Sequence, residues 1–491
     1  QMADIEIKNL SFSYPLASKA ALSDVSLFVE SGRLCLVCGS SGSGKSTLLC
    51  LLKSEIAPHG KKAGEIFVRG KIGFVGQDAE SNIITDTVYG ELAFGLQSTS
   101  LSRAEIALKI AETASYFNLN KYINCKTAEL SGGTKQMLAL ACAMTASPDV
   151  LLLDEPCSQL DPVAARNFYS AVLRLKAERG ITILVADHRP DLLANADSVL
   201  YLKQGRAEFF GTPAELAKYL PAAGDPMVQM LPAYTQILKT RTLDFSAAKE
   251  MLKSVAEKPA LPTPQAAHAL SARGLAFAYK KGAEDVLFGL DYTAEKGCIN
   301  AVVGANGSGK TTLLKCLCKI LKPYGGKIKM HGRAVYMPQN VQALFLCDTV
   351  REEISDDALV REFGLEKLLG ANPFDLSGGE AQRLAIAKAV QTGADILLLD
   401  EPTKSVDAAF KAELADILKS LCSSGKTIVL VTHDIEFAGR YADFASFLFD
   451  GKIAASAPRR DFFAALDIYT TALSAMTGGR IISVDDAEAE E

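Results

Sequence analysis

The sequence predicts an α/β fold that occurs twice along the chain, with a mostly parallel sheet at the core of each copy. Short, continuous apolar runs, such as residues 150–154 and 181–186, are typical of parallel strands that helices cover on both faces. In each half, a glycine-rich segment follows such a run and opens a stretch with helical spacing. Several motifs then recur at a nearly constant distance, which indicates two homologous modules in tandem.

The length and composition indicate a globular protein of several domains. The 491 residues correspond to two to four domains at roughly 100–200 residues each, and 48% hydrophobic with 22% charged residues exclude wholesale disorder. Charged residues interrupt every apolar run well before the ~18 residues that span a bilayer, and we expect no secretion signal at the start of the sequence. The net charge of −5 argues against binding of nucleic acid that is mainly electrostatic.

Eleven cysteines, an odd number scattered through apolar segments, are typical of a reducing compartment such as the cytosol. Cys35 and Cys38 form a C-x-x-C pair, but they lie in the apolar run 34–38, and no second pair of ligands is nearby. We therefore expect both thiols to pack in the core rather than to bind a metal or take part in redox chemistry.

The elements of the first module can be assigned in chain order. Residues 34–38 predict a strand, and a helix begins at Lys45 after the glycine-rich turn. Residues 150–154 and 181–186 predict parallel strands, and residues 162–178, between them, have the spacing of an amphipathic helix. This alternation predicts the α/β core.

The repeat is close in its motifs and unequal in its spacing. LSGG and LLLDEP both recur 246 residues later, whereas the glycine-rich segments GSSGSGKST and GANGSGKTT are 265 residues apart. The second copy therefore has 19 fewer residues between these motifs. Most of them are lost after the glutamine that follows the glycine-rich helix, since 54 residues separate Gln77 from Ser131 and only 38 separate Gln339 from Ser377. The missing residues are expected to belong to an insertion outside the nucleotide core.

The domain boundaries follow from the repeat and from composition. The first module is predicted at 1–220 and the second at 268–460. Residues 221–267 read as a helical extension and linker, in which PALPTP at 259–264 is typical of an extended connection. Residues 461–491 are predicted to form a helix and an acidic tail, whose last seven residues we expect to be solvated and frayed.

Both glycine-rich segments have the spacing G-x-x-x-x-G-K-[ST] of a phosphate-binding P-loop. Glycines let backbone N–H groups turn toward phosphate oxygens at a helix N-terminus, where the helix dipole favours anions. Lys45 and Lys310 are predicted to reach the β- and γ-phosphates of ATP, and the hydroxyls of Ser46 and Thr311 to reach Mg²⁺. The two predicted loops comprise Gly39, Ser40, Ser41, Gly42, Ser43, Gly44, Lys45, Ser46 and Thr47 in the first module and Gly304, Ala305, Asn306, Gly307, Ser308, Gly309, Lys310, Thr311 and Thr312 in the second.

An apolar strand that ends in two carboxylates completes each predicted site. The first carboxylate, Asp154 or Asp400, is predicted to hold Mg²⁺, and the second, Glu155 or Glu401, to orient or deprotonate the attacking water. Gln in the second position would indicate an inactive site, and both modules have Glu. We therefore predict ATP hydrolysis at two competent sites.

The segments LSGGTKQ at 130–136 and LSGGEAQ at 376–382 resemble the signature motif of the ABC ATPase family, and the resemblance extends over residues 3–220 and 269–460. It implies an α/β fold with two tandem P-loop ABC nucleotide-binding domains, each with a helical signature subdomain. The resemblance also implies roles for residues at matching positions. Tyr14 and Tyr279 would stack on adenine, and Gln77 and Gln339 would bind Mg²⁺ and couple the site to the partner. His188 and His433 would sense the γ-phosphate.

The family resemblance further implies that each ATP contacts the P-loop of one module and the signature of the other. Ser131, Gly132 and Gly133 would then serve the loop that contains Lys310, and Ser377, Gly378 and Gly379 would serve the loop that contains Lys45. The fifth signature residue is usually Gln, but it is Thr134 in the first module and Glu380 in the second. This departure predicts two competent sites of unequal rate.

The segment at 78–96, DAESNIITDTVYGELAFGL, resembles the ATPases of energy-coupling factor (ECF) transporters, as do FSYP at 12–15 and the helical stretch 227–239. The resemblance implies a peripheral ATPase at the cytoplasmic face of the cell membrane, which powers uptake of a vitamin or metal ion. Its partners would be a transmembrane T component, gripped through coupling helices, and a substrate-binding S component. No nucleic-acid partner is expected. Residues 83–96, with Ile83, Ile84 and Val88, are predicted to make a larger contact than the shorter equivalent at 340–354.

Three alternatives stay open from the sequence. The first is a tandem ABC ATPase that acts on ribosomes or nucleic acid, although such proteins generally have a strongly charged linker or zinc-binding cysteines. The second is the fused ATPase of another ABC importer, such as a sugar importer, a group that tends to have one degraded site. The third is an ATP-gated binding module without turnover.

Overall fold

A computed structural model of the protein describes residues 3–15, 17, 19–97, 99–187, 189–238, 240–259, 267–404 and 406–488, without the side chains of residues 3 and 191. The chain divides into two compact units, residues 1–231 and 232–491. In the described part, each unit contains nine strands that follow one another in the same order. The sequence repeat is therefore a structural repeat.

The first unit begins with strands and ends with helices. Its strands are β1 (Ala3–Ser13), β2 (Leu22–Glu30), β3 (Leu34–Cys38), β4 (Lys61–Val68), β5 (Ile72–Val75), β6 (Val150–Asp154), β7 (Thr182–Ala186), β8 (Ser198–Lys203) and β9 (Arg206–Gly211). Its helices are α1 (Lys45–Leu52), α2 (Ala79–Asn82), α3 (Val88–Phe94), α4 (Arg103–Tyr116), α5 (Gly132–Thr145), α6 (Pro162–Arg179), α7 (Pro190–Leu193) and α8 (Pro213–Ala222). Short 3₁₀ turns lie at Ser54–Ile56, Asn120–Tyr122, Thr127–Glu129 and Pro226–Met230.

Two sheets enclose the core of the first unit. A six-stranded sheet has the order β5-β6-β7-β3-β8-β9, parallel except for the last pair, and a three-stranded antiparallel sheet has the order β2-β1-β4. Leu48 and Leu49 of α1 pack between them against Val37 of β3 and Ile7 of β1. Because β3, β6 and β7 are parallel neighbours, their carboxyl ends lie along one edge of the sheet.

The second unit repeats this plan after two additional short helices. Its strands are β10 (His268–Phe277), β11 (Leu287–Glu295), β12 (Ile299–Val303), β13 (Gly325–Met330), β14 (Ala334–Met337), β15 (Ile396–Asp400), β16 (Thr427–Thr432), β17 (Phe444–Phe449) and β18 (Lys452–Pro458). Its helices are α9 (Ala233–Ile237), α10 (Phe245–Met251), α11 (Lys310–Leu317), α12 (Val350–Glu353), α13 (Asp357–Glu362), α14 (Gly378–Gln391), α15 (Ala408–Ser423), α16 (Ile435–Tyr441), α17 (Arg459–Ala464) and α18 (Ala472–Thr477). Short 3₁₀ turns lie at Val341–Leu344, Glu366–Leu368, Pro373–Asp375 and Val484–Asp486.

The sheets of the second unit match those of the first, with the orders β14-β15-β16-β12-β17-β18 and β11-β10-β13. Of the 19 missing residues, 16 fall in the helical segment between β14 and α14, because 54 residues separate Gln77 from Ser131 and 38 separate Gln339 from Ser377. There, α13 has 6 residues where α4 has 14, and α12 has 4 where α3 has 7. The deletion therefore leaves the nucleotide core intact, as predicted.

The predicted extension at 221–267 is divided between the units. Residues after 231 belong to the second unit, where α9 and α10 form a small core with the C-terminal segment; its buried members are Tyr234, Ile237, Leu238, Ala248, Leu252, Val255, Leu473, Met476, Ile481 and Ala487. The predicted extended connection at 259–264 lies outside the described residues except for residue 259.

The expectation of a frayed acidic tail is wrong for residues 485–488, and the last three residues lie outside the described part. Asp486 is buried and pairs with Arg459 at 2.6 Å and with Arg460 at 3.0 Å. Burial alone would raise the pKa of Asp486, but the pairing with Arg459, supported by Ser483 and Arg460, holds the pKa below its ordinary value of 3.8. The ion pairs therefore outweigh the tendency of clustered acids to stay in water.

We expect Asp486→Asn to lower the stability of the second unit by about 2–4 kcal/mol, because it leaves two half-buried guanidinium groups without their charge partner. The folded pKa is depressed, so this contribution is complete at neutral pH and is lost only as the pH falls below 3.8. Urea denaturation followed by circular dichroism would measure the change. Asp485→Asn is the matched control, since Asp485 is half exposed in its pair with Arg440 and should cost under about 1 kcal/mol.

Two further sequence expectations concern the core and the membrane. Cys35 and Cys38 are fully buried in β3, and burial raises the pKa of both thiols to about 12, so both are packing residues. Among the helices in the described ranges, none is both long enough and apolar enough to cross a membrane.

Candidate functional site

Each P-loop leaves the carboxyl end of a central strand under a tight steric constraint. A Cβ on Gly39, after β3, would lie 2.2 Å from a carbonyl oxygen of β8, and a Cβ on Gly304, after β12, would lie 2.3 Å from a carbonyl oxygen of β17. Gly44 and Gly309 precede α1 and α11 with φ angles of 101° and 103°, a conformation that L side chains rarely adopt. The backbone path therefore requires glycine at these four positions.

The lysine of each loop is buried and folds back onto its own loop. The ammonium group of Lys45 donates to the carbonyl oxygens of the first two loop residues at 3.0 and 3.1 Å, and that of Lys310 does the same at 2.9 and 3.0 Å. Phosphate oxygens are stronger, charge-assisted partners for an ammonium group than neutral carbonyls. The geometry therefore fixes each lysine at the mouth of the loop where a phosphate would compete for it.

A buried hydroxyl in each loop also fits a phosphate. Ser43 Oγ and Ser308 Oγ occupy the same position in the two loops, and neither has a hydrogen-bond partner within the described part of the chain. An unmatched buried hydroxyl costs about 1–3 kcal/mol. A phosphate oxygen bound in the loop would remove that cost.

The first carboxylate after the β6 and β15 strands meets the hydroxyl at the start of the loop helix. Ser46 Oγ donates to Asp154 at 3.0 Å, and Thr311 Oγ1 donates to Asp400 at 3.1 Å. Burial raises the pKa of both aspartates above the ordinary value, so a cation beside them would be favoured. Hydroxyl and carboxylate oxygens are the hard ligands that Mg²⁺ prefers, and the residues present therefore fit this ion.

Gln77 and Gln339 lie two residues beyond β5 and β14, the strands that neighbour β6 and β15. Both are exposed at the same sheet edge as the aspartates. Their assignment as Mg²⁺ ligands stays a prediction.

The second carboxylate of each site is held by a strained turn. Glu155 and Glu401 have φ angles of +41° and +51°, which are uncommon for residues other than glycine. The backbone N–H of each still donates to the neighbouring strand, at 2.9 Å in both units. These backbone hydrogen bonds hold both turns at the edge of the sheet. In the first unit, Glu155 Oε1 lies 3.5 Å from the ammonium group of Lys45.

In the second unit, Glu401 is bound to the predicted sensor histidine. His433 donates from Nδ1 at 2.8 Å and from its backbone N–H at 3.1 Å, both to Glu401 Oε2. Burial acts to raise the pKa of Glu401, but the contacts with His433 and the charge of Lys310 hold the pKa below its ordinary value. The carboxylate is therefore ionised and can accept a proton, and Nε2 of His433 could donate to a phosphate oxygen only when the imidazole is protonated at both nitrogens. His188, the predicted counterpart, lies outside the described residues.

The two predicted adenine platforms have the same geometry. Tyr14 and Tyr279 are exposed, and the hydroxyl of each lies 3.0 Å from a threonine hydroxyl in the adjacent loop helix, that of Thr47 or Thr312. A phenylalanine two residues earlier packs edge to face against each ring. Each ring is therefore tied to the helix that starts at the P-loop.

The signature motifs open helices α5 and α14. Ser131 and Ser377 are the N-caps of these helices, and the glycines that follow form the first turn. Backbone N–H groups in a first turn have no partner within the helix, and they are suited to bind an anion. The assignment of these two helix ends as phosphate-binding sites stays a prediction.

Two polar contacts were missed by the sequence reasoning. Asp187, just before His188, is buried and accepts a hydrogen bond from Tyr169, while the second unit has Thr432 at that position. Tyr336 donates to Asp400 at 2.8 Å, while the first unit has Phe74 there. An alignment of the two halves at these positions, rather than a search for shared motifs, would have identified both differences.

The family described as ABC transporter matches residues 22–158 and 287–404, which include both P-loops and both carboxylate pairs. A Bacillus cereus protein named as an ABC transporter ATP-binding protein is 34% identical over 96% of this chain and 95% of its own length. A Bacillus subtilis protein, YkoD, named as an HMP/thiamine import ATP-binding protein, is 30% identical over 92% of this chain and 90% of its own length.

Solved structures with the same fold include an archaeal ribosome recycling factor, aABCE1, in complex with the ribosomal stalk protein aP1. Its TM-score is 0.66 at 22% identity, over 93% of this chain and 91% of that one. A structure of RNase-L inhibitor has a TM-score of 0.64 at 22% identity, over 93% and 92% of the two chains. At this level of identity the likeness concerns the fold alone. With the family match and the full-length relatives, it follows that this chain belongs to the ABC transporter family and is an ATP-binding ATPase with two tandem ABC domains.

Proposed function

We propose that this protein is the ATP-hydrolysing subunit of an ECF-type importer, which couples hydrolysis to the uptake of a vitamin or metal ion at the cytoplasmic face of the cell membrane. The observation that carries the proposal is an exposed apolar surface on the helical segment of the first unit. The relative named for HMP/thiamine import supports the same class of function. The transmembrane T and S components are the partners that the proposal requires.

Within each unit, the proposed chemistry uses the residues at the sheet edge. Lys45 and Lys310 hold the β- and γ-phosphates, and the glutamate after each aspartate orients the attacking water and accepts its proton. His433 keeps Glu401 in place and, when the imidazole is protonated at both nitrogens, donates from Nε2 to the γ-phosphate. Mg²⁺, when bound, neutralises charge on the β- and γ-phosphate oxygens.

We further propose, from the family resemblance, that the signature of each unit completes the ATP site of the other unit's P-loop. The loop with Lys45 is then served by Ser377 and its glycines, and the loop with Lys310 by Ser131 and its glycines. This pairing makes hydrolysis depend on both halves of the chain.

The apolar surface, which we call the docking face, consists of Ile84, Tyr89 and Phe94. Their exposed fractions are 67%, 45% and 47%, so each of these side chains is accessible to a partner. The second unit has Leu346, Arg351 and Asp356 at the corresponding positions, of which only Leu346 is apolar. This difference favours a partner that contacts the first unit more extensively.

A buried glutamate of α3 holds the backbone of residues 84 and 85 in one conformation. Glu91 Oε2 accepts the backbone N–H groups of Ile84 at 3.1 Å and Thr85 at 2.8 Å, and the hydroxyl of Thr85 at 2.8 Å. Glu353 binds the corresponding backbone N–H groups of the second unit, and Leu346 is 87% exposed. The loops are therefore fixed although their apolar tips face outward, which is expected of a preformed binding surface.

The sequence-based choice of contact residues is partly wrong. Val88 is buried and is not available to a partner, whereas Ile83 is half-buried and its choice stays a prediction. Thr87 is the N-cap of α3, and its side chain accepts the N–H of Gly90 at 3.1 Å. The helix therefore begins at Val88 and turns this residue inward, which leaves Tyr89 on the outer side.

An ion pair connects α2, which precedes the docking face in the chain, to α5, the helix that begins at the first signature motif. Glu80 of α2 lies 2.7 Å from the ammonium group of Lys135, a buried lysine in the first turn of α5. Gln136 also donates to the carbonyl oxygen of Gly76 at 3.1 Å. A partner that moves α2 would thereby move the first signature motif. This connection supports a role in coupling partner movement to ATP hydrolysis.

We expect Ile84→Asp to abolish association with the membrane components while basal ATP hydrolysis stays within about twofold, because Ile84 is outside the ATP site. Affinity purification from native membranes, with identification of the retained subunits, measures the first effect, and phosphate release measures the second. Leu108→Asp is the matched control, since Leu108 is 70% exposed on α4 and outside the docking face.

Retention of polytopic membrane proteins by Ile84→Asp would contradict the docking face. Recovery of ribosomal subunits in place of membrane proteins would contradict the importer itself and favour a tandem ATPase that acts on ribosomes.

A further inference from the structure

We propose that Glu380 restrains the signature serine of the second unit, so that this signature binds the γ-phosphate of ATP more weakly than the signature of the first unit. Glu380 is then a specificity-determining residue that makes the two ATP sites unequal. The inference rests on the proposed function, because it needs ATP to meet both signatures.

The contacts of Ser377 carry this proposal. Its backbone N–H donates to Glu380 Oε2 at 2.9 Å, and its hydroxyl donates to the same oxygen at 2.6 Å. The N–H of Glu380 donates back to Ser377 Oγ at 3.5 Å, which completes a capping box. Both serine donors at this helix end are thus engaged by a carboxylate, and a phosphate must displace it to use them.

The first unit lacks this carboxylate. Thr134 stands at the corresponding position, and its hydroxyl lies 2.9 Å from Ser131 Oγ, a neutral contact. Lys135, the next residue, is balanced by its ion pair with Glu80. The contacts of the two signature serines therefore differ in the negative charge of Glu380.

The negative charge of Glu380 lies at the helix end where the negatively charged γ-phosphate is proposed to bind. A carboxylate in the first turn stabilises the helix itself, because it complements the helix dipole. The same position makes it a competitor for any anion that binds there, both by repulsion and by occupation of the donors. Glu380 therefore stabilises α14 at the expense of phosphate binding.

The test measures nucleotide binding at one site at a time. Glu155→Gln with Glu401→Gln prevents hydrolysis, and either Lys310→Ala or Lys45→Ala is added to leave a single P-loop. In each background, Glu380→Gln removes the charge and keeps a residue that can still form the capping box. Equilibrium dissociation constants are then measured for Mg²⁺-ATP and for Mg²⁺-ADP, which has no γ-phosphate.

In the Lys310→Ala background, we expect Glu380→Gln to tighten ATP about three- to thirtyfold and to leave ADP unchanged. The gain should shrink as the salt concentration rises, because the effect is electrostatic. In the Lys45→Ala background, Glu380→Gln should have no effect, whereas Thr134→Glu should weaken ATP. Glu105→Gln is the matched control, since Glu105 forms the same capping box with Ser102 at the start of α4.

Unchanged ATP affinity in both backgrounds, or an equal gain for ATP and ADP, would overturn the inference. A gain confined to the Lys45→Ala background would overturn it as well, because Ser377 would then serve the loop of its own unit. Failure of every variant to bind ATP would instead overturn the proposed function, and the two failures are therefore distinguishable.

Discussion

The double variant Glu155→Gln, Glu401→Gln is expected to hydrolyse ATP about 10²–10⁴-fold more slowly than the unmodified protein and to bind ATP as tightly. Each glutamate stands at a strained turn at the end of a buried strand, with an ammonium group or an imidazole within reach. The amide of Gln keeps the size of the side chain but cannot accept the proton of water. Single-turnover phosphate release, together with the amount of ATP retained after rapid gel filtration, measures both effects.

The control is the pair Glu178→Gln and Glu362→Gln, which removes one exposed carboxylate from each unit away from the sheet edge. These changes should leave turnover within about twofold. Rapid turnover by the Glu155, Glu401 double variant would show that the assigned carboxylates are wrong. Slow turnover with weak ATP binding would show that they position phosphate rather than water.

The second large effect is expected from Lys45→Ala with Lys310→Ala, which should weaken ATP binding by about 100-fold or more. In the structure these buried ammonium groups donate to neutral loop carbonyl oxygens, and a phosphate would be a stronger, charge-assisted partner. Calorimetric titration with Mg²⁺-ATP measures the change. Each single variant should retain one site and half of the bound nucleotide.

Lys53→Ala provides the matched control, because Lys53 follows the last residue of α1 and donates to a backbone carbonyl at 3.3 Å, at the opposite end of the same helix. It should leave ATP binding unchanged. Full ATP binding by the Lys45, Lys310 double variant would contradict the assignment of both loops.

The core of the fold was predictable because its chemistry is local. The strands at 34–38 and 150–154 have the predicted bounds, since a continuous apolar run between a turn and a glycine or acidic residue has few alternatives. The loops were predictable because G-x-x-x-x-G-K-[ST] is a local sequence pattern, although the backbone oxygens that would clash with a Cβ at Gly39 and Gly44 belong to Leu202 and Ala21, far away in sequence.

The features that could not be predicted depend on particular side-chain contacts and caps that a pattern of residue types does not reveal. The burial of Asp486 depends on Arg459 and Arg460, and a run of acids alone favours solvation. The inward position of Val88 depends on where α3 begins, which a cap at Thr87 decides. The contact between Ser377 and Glu380 is local, but its meaning is evident only when the two signatures are compared side by side.

The small core formed by α9, α10 and the C-terminal segment determines how the chain can be divided for study. A fragment that starts at the second P-loop domain, near residue 268, would leave Leu473, Met476 and Ile481 without the side chains that cover them. Such a fragment would expose an apolar surface and tend to aggregate. Its loss of activity could then be mistaken for evidence that the first unit is required. A cut between residues 231 and 232 separates the halves without opening this core.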